Sequence, residues 1–407
     1  MDIKENKESQ DKGNIPNREK YDPNKKYPKF PFTHKNGGVN MGYEKTPIES
    51  NFIAGIIKQI GSKIVSGQIK NVMEISKPIK LCSKVSFIEL ASFDNCPTQY
   101  LDYAAYTQDP VERLKYIATF IISAIPYVPS KIYQKIPSDP YRGETAQLIN
   151  ERGTIFQAES FEYKSPSCLI NITGKDNLWK LNYFHKTKAN LILPKMNDIE
   201  AGNLKDKVFE FQDGSKIIAQ TMLIHVQGIL VGDRTMKVQK IQRIIDTKNH
   251  LQLIITYNYH RERTISKLAK SFTGFLMNKK QDVQEADSFT IEIYRYESNF
   301  KAQNLKDFEY RTELSPQEQK KEYTIRHLVS KGSGNYMSHL QFDGEVFWKS
   351  TDHYPQWTSL NQNLLESDFT LREDLMHLAD GNLVFAEQIK NELEARDEKD
   401  QKIRYKD

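Results

Sequence analysis

Residues 167–184 read SCLINITGKDNLWKLNYF, two runs of strand-forming residues, SCLINI and WKLNYF, parted by the turn signal Gly174-Lys-Asp-Asn. The period within each run is that of a strand with one buried face, and a short turn between consecutive strands makes them antiparallel. The same grammar runs from about Thr154 to Tyr296, through ANLILP, KVFEF, KIIAQTMLIHV, KVQKIQRII, LQLIITYNY and FTIEIYRY, with Asp213-Gly214 marking a further turn. So many antiparallel strands with one apolar face each are best accommodated by a barrel or a strongly curled sheet, because closure removes unpaired edges. The expected fold class is mainly β with α: a large, near-complete antiparallel β-barrel at about 154–296, flanked by helical regions.

Helical periods lie on both sides. Phe52, Ile53, Ile56, Ile57, Ile60 and Ile64 recur at helical spacing behind Ser50 and Asn51, which can cap a first turn. A helical layer is expected at about 110–133, with Pro126 ending or bending it. The region 297–407 is expected to be a helical subdomain: Thr370 to Leu378, then a long charged helix from about Asn382 with a narrow stripe at Phe385, Ile389 and Leu393. Residues 1–45 are polar, without apolar periodicity, and form a tail apart from the domain at 46–407. They read as unstructured or as an extended segment lying across a partner through Tyr27 to Phe32.

Composition excludes several classes. Basic residues number 58 and acidic 53, a net charge of +5 over 407 residues, which gives no electrostatic footprint for nucleic acid. With 21 Tyr and 20 Phe there is material for a sizeable core, and one to three domains fit the length. The longest apolar run, Tyr116 to Pro129, is broken by Pro126 and falls short of the roughly 20 residues that span a bilayer. MDIKENKESQ has neither a secretory apolar core nor the Arg-rich pattern of a transit peptide, so a cytoplasmic protein is expected. Cys82, Cys96 and Cys168 form no CxxC pair and read as small apolar residues.

No catalytic or metal-binding pattern emerges. The nine histidines give no HExxH, and His250 and His260 flank one strand without carboxylates at ligand spacing. There is no GxSxG elbow, and the Gly332-Ser333-Gly334 turn lacks a following GK[ST]. Neither an enzyme nor a cofactor or metal is called for, and a large β domain without a catalytic cluster suggests a container.

Four local sequences sharpen that reading. Ile136-Pro-Ser-Asp-Pro-Tyr-Arg-Gly-Glu-Thr145 is similar to a KPFNPLLGET turn, and Glu159-Ser-Phe-Glu-Tyr-Lys-Ser-Pro166 sits where EQVSHHPP would stand, keeping its first Glu and last Pro. Leu223-Ile-His-Val-Gln-Gly-Ile-Leu-Val-Gly232 resembles a hairpin, and Leu371 to Glu394 resembles the C-terminal helices, of the same family. In this order and at these separations, the chain resembles the ligand-binding domain of the oxysterol-binding-protein-related family from about Thr46 to Lys406.

The resemblance implies a barrel with a lipid tunnel, a lid helix at about 48–66, and a sterol or phospholipid cargo carried between membranes with peripheral membrane contact. Phe52, Ile53, Ile56, Ile57 and Ile60 would face the lipid from the lid, although the same stripe fits a permanently packed helix. Phe120, Ile121 and Ile125 would line the tunnel. Family members hold a phosphoinositide headgroup with histidines, Lys, Asn and Arg; the matching positions here are Ile136, Asp139, Tyr163, Lys164, Lys390, Glu394 and Glu398, of which only Lys390 and Glu394 agree. An acid set against the phosphate at about 4 Å would cost about 4 kcal/mol at an effective dielectric of 20, so family-type binding of phosphatidylinositol 4-phosphate is not expected. Lys135, Arg142 and Arg396 are close in sequence and could compensate, but each is displaced from the family position. The other reading is a degenerate barrel serving as a structural subunit of a larger cytoskeletal or organellar assembly, contacting protein partners through residues 1–45.

Overall fold

The computed structural model describes residues 15–41, 76–132, 135–162, 167–191, 198–203, 205–228, 233–239, 241–258, 287–296, 326–361 and 363–404. In chain order the strands are β1 (Val39–Asn40), β2 (Cys82–Ser86), β3 (Ile136–Ser138), β4 (Thr145–Asn150), β5 (Ile155–Glu162), β6 (Ser167–Thr173), β7 (Trp179–Leu191), β8 (Asp198–Asn203), β9 (Lys207–Phe211) and β10 (Lys216–Ala219). There follow β11 (Leu223–Gln227), β12 (Thr235–Gln239), β13 (Ile241–Asp246), β14 (Leu251–Tyr257), β15 (Ser288–Tyr296), β16 (Arg326–Asn335), β17 (His339–Phe342), β18 (Glu345–Lys349) and β19 (Trp357–Ser359). The helices are α1 (Phe87–Phe93), α2 (Gln99–Tyr106), α3 (Pro110–Ala124), α4 (Tyr127–Ile132), α5 (Glu373–Ala379) and α6 (Leu383–Arg404).

Seventeen of these strands form one antiparallel sheet that curls without closing; β2 and β3 pair separately and in parallel. The sheet divides at β7, whose 13 residues serve two neighbours: Trp179 to Asn182 pair with β9, Thr187 to Leu191 with β8. One branch runs from β8 through β11 and β12 to β1, the other from β9 through β10 and β13 to the later hairpins. The alternation in 167–184 is realised: Cys168, Ile170 and Ile172 are buried opposite His185, Tyr183 and Leu181, while Leu169 between them is exposed.

α1 and α3 begin where short polar side chains satisfy free amides, Ser86 Oγ accepting from Glu89 N and the Asp109 carboxylate from Val111 N, with Pro110 at the first helical position of α3. α3 presents Leu114, Ile117, Phe120 and Ile121 to the core and stops two residues before Pro126, after which α4 begins.

The structure corrects four expectations. The sheet begins at β4, ahead of Thr154, and β16 to β19 occupy part of the region expected to be helical; the C-terminal helices start only at Glu373. Gly332 and Gly334, read as a turn, lie inside β16, where a Cβ would meet the Phe342 ring at 2.6 Å and Phe289 Cζ at 2.9 Å. They are strand glycines because the Phe342 ring crosses the backbone at Gly332, and the His339 carbonyl and the Phe289 ring close on Gly334. On α6 the buried line is Ala386, Lys390 and Asp397, one position on from the expected stripe, and Phe385 is exposed. Residues 15–41 of the expected tail lie extended on the chain's own sheet: Tyr21 and Tyr27 stack on His339, Arg18 covers the Phe347 ring at 3.8 Å, and Val39 pairs with Met236. The expected lid at 48–66 lies outside the described residues.

Candidate lipid-binding site

A cavity of about 410 Å³ lies between the first branch of the sheet and the helices. α1 contributes Phe87, Leu90 and Ala91, α3 contributes Ile121, and the strands contribute residues such as Ala189, Ala201, Ile224, Val226 and Met236. Met41, just past β1, closes part of the wall. Size and lining suit an apolar ligand. Of the expected tunnel residues, Ile121 and Ile125 line the cavity, whereas Phe120 is fully buried behind it against Phe209. Adjacent helical positions differ by about 100° in direction, which separates Phe120 from Ile121. Phe52, Ile53, Ile56, Ile57 and Ile60 lie outside the described residues.

Polar side chains also reach this space, among them Asn203, Gln220, Arg234 and Gln242. Asp94 Oδ2 and Lys207 Nζ are 2.7 Å apart at its wall. His185 lines it from β7, its Nε2 at 3.0 Å from Thr187 Oγ1, and burial lowers its pKa to about 4, so its ring is neutral near pH 7.

Further charges gather where Ser76, Lys77, Lys135, Ile136 and Pro137 meet the cavity. Here the structure alters the charge argument drawn from sequence. Asp139 is not a bare acid: Lys77 Nζ lies 2.6 Å from both its carboxylate oxygens, with both side chains about 8% exposed. Lys390 and Glu394 pair with each other, and both bond the Ser76 hydroxyl, Lys390 Nζ at 3.2 Å and Glu394 Oε1 at 2.9 Å. Lys135 donates to the Lys80 carbonyl, and Arg142 bridges to Asp397 at 3.1 Å. Arg396 and Glu398 are exposed, and Tyr163 and Lys164 lie outside the described residues.

A buried Arg372 ties this rim to α5. Its guanidinium meets Asp374 Oδ2 at 2.6 Å and Glu144 Oε2 at 3.1 Å, donates to the Asp139 carbonyl at 2.8 Å, and lies over the Tyr141 ring. Sequence reading did not single out Lys77 or Arg372: Asp139 is 62 residues from Lys77, and of the carboxylates that hold Arg372, Glu144 is 228 residues away although Asp374 is only two. Their only local signal is a basic residue beside an apolar run.

A curled antiparallel sheet around an apolar chamber is the construction of a lipid-binding domain. The chain belongs to the oxysterol-binding protein family, whose model matches residues 62–407. It is 24% identical over 351 residues to Oxysterol-binding protein 9 of Dictyostelium discoideum, covering 85% of this chain and 74% of that one. To human Oxysterol-binding protein-related protein 6 it is 26% identical over 148 residues, 33% of this chain and 16% of that protein. Similar solved structures are the Osh3 ORD with PI(4)P from Saccharomyces cerevisiae, at 16% identity, TM-score 0.59 and 84% coverage of each chain, and the Osh1 ORD with cholesterol, at 14%, 0.60 and 89% of each. At these identities the structures establish the fold.

Proposed function

We propose that this chain is a lipid carrier: it takes one sterol or other lipid into the 410 Å³ cavity, shields it from water and releases it at a second membrane. The cavity itself carries this reading. Keeping a lipid tail out of water is worth about 0.8 kcal/mol per CH₂, so a chamber walled by Phe87, Leu90, Ile121, Ile224, Val226 and Met236 offsets what the cargo loses on leaving a bilayer, with no catalytic step. Membrane contact is peripheral in this account, and among the described residues no helix is long and apolar enough to cross a membrane.

Binding of phosphatidylinositol 4-phosphate in the family manner is not part of the proposal. A phosphate monoester needs several converging donors to leave water. Here Ile136 replaces one, and Lys77, Lys390 and Arg142 are each engaged by a carboxylate. The same internal pairing favours, as a second reading, a barrel kept as a structural subunit. Transfer of a fluorescent sterol between two populations of liposomes tests the two. Accelerated transfer, with binding that saturates at one lipid per chain, supports the carrier, and neither binding nor transfer supports the subunit.

A further inference from the structure

We propose that the groove between α6 and the short helical turn Ile79–Leu81 is a docking site for a protein segment that carries apolar anchors among basic residues. The groove, about 830 Å³, runs along α6 from Leu383 to Ala395 and shares no lining residue with the cavity. From Leu383 to Ala395 is about 18 Å along the helix, the length of a partner helix of about three turns.

Its apolar lining is left to solvent. Val384 is 79% exposed and Leu383 46%, and Phe385, against the His377 ring, is exposed at the same end of α6. Apolar side chains gathered in this way mark an interaction surface. The walls are also fixed before any partner arrives. Ile79, Cys82, Leu375 and Ala386 form a small buried core of their own, and the Glu387 carboxylate accepts from the Ile79 amide at 2.6 Å, which ties α6 to the facing turn.

Charge identifies the occupant. Between residues 366 and 395 the exposed charged side chains are Glu366, Glu373, Asp380 and Glu392, all acidic, whereas the two bases, Arg372 and Lys390, are buried and paired with carboxylates. In the groove itself Glu387 and Glu392 stand against Lys80 alone. An anionic membrane would meet like charge on this face, and a two-fold contact with a second copy would set the acids of one chain against those of the other. A segment with apolar residues at helical spacing, flanked by Lys and Arg, matches both the apolar lining and the acidic surround.

The test labels Val384→Cys with a benzophenone maleimide in the folded full chain, where Cys82, Cys96 and Cys168 are buried, and irradiates it in an extract of the chain's own cells. The cross-linked peptide is then sequenced and synthesised. It should come from another protein and carry apolar residues at helical spacing among Lys and Arg. The synthetic segment should bind the wild-type chain at least about tenfold more tightly than the variant Glu392→Lys, with an affinity that falls as salt rises. Val384 and Glu392 are both exposed, so the two variants should unfold at the wild-type temperature, which separates a lost contact from a lost fold. A cross-link to lipid, to a second copy or to the chain itself, a segment without basic residues, equal affinity for Glu392→Lys, or no cross-link at all overturns the proposal.

Discussion

The contact between Lys77 and Asp139 is the sharpest place to test the account of the rim. Lys77 Nζ is 2.6 Å from both carboxylate oxygens, and both side chains are almost wholly withdrawn from solvent. Replacing one member of such a pair leaves the other charge buried and unpaired, which costs about 3–5 kcal/mol. Replacing both by apolar groups of similar volume is often neutral or stabilising, because the desolvation of two charges disappears with their attraction. Lys77→Met and Asp139→Leu should therefore each lower the unfolding free energy by about 3–5 kcal/mol, while the double variant stays within about 1–2 kcal/mol of wild type. Urea titration followed by tryptophan fluorescence gives all four corners of the cycle. If the single losses are below about 1 kcal/mol and add, Asp139 carries no buried partner, and the sequence argument that it repels a phosphate regains its force.

Three other outcomes follow from single residues. Gly38 has φ +87°, and a Cβ there would lie 2.6 Å from the Met236 carbonyl; Gly38→Ala should cost at least about 2 kcal/mol and accelerate amide exchange in residues 21–41, and unchanged exchange would show that this segment is not anchored there. His185 titrates near 4 when buried and near 6.5 when unfolded, so between these values the unfolded chain binds the extra proton: stability is full above about pH 6.5 and falls by up to about 3 kcal/mol towards pH 4, a slope that His185→Gln should remove in pH-dependent melting. Burial pushes the Cys82 thiol up to about 11 and the Cys96 thiol to about 12, so a thiol reagent should label them at neutral pH only as the chain unfolds; rapid native labelling would contradict their burial.

Much of the sheet was legible because strand periodicity is local. The run from Ser167 to Phe184 states its own faces, and the buried line Cys168, Ile170, Ile172 follows directly. The strand containing Gly332 and Gly334 was not legible, since a glycine that makes room for Phe342 or Phe289 looks the same in sequence as one that makes a turn. The cavity was half legible. Ile121 and Ile125 were placed by the family resemblance, yet Phe120 missed the lining by the direction of a single helical position. The polar contacts were hidden altogether: Lys77 finds Asp139, Lys207 finds Asp94 and Arg372 finds Glu144 only after the chain has folded, and no local spacing announces them. On α6 the most apolar stripe was expected inward, but the contacts of Lys390 with Ser76 and of Arg142 with Asp397 turn Ala386, Lys390 and Asp397 to the interior instead.

The most direct test of the central claim is native mass spectrometry of the chain purified gently from its own cells, followed by denaturation and lipid extraction. One lipid per chain, released when the protein unfolds, is the expected result. Recovery of phosphatidylinositol 4-phosphate as the bound species would contradict the reading of the rim, and a lipid-free chain bound stably to other proteins would contradict the carrier itself.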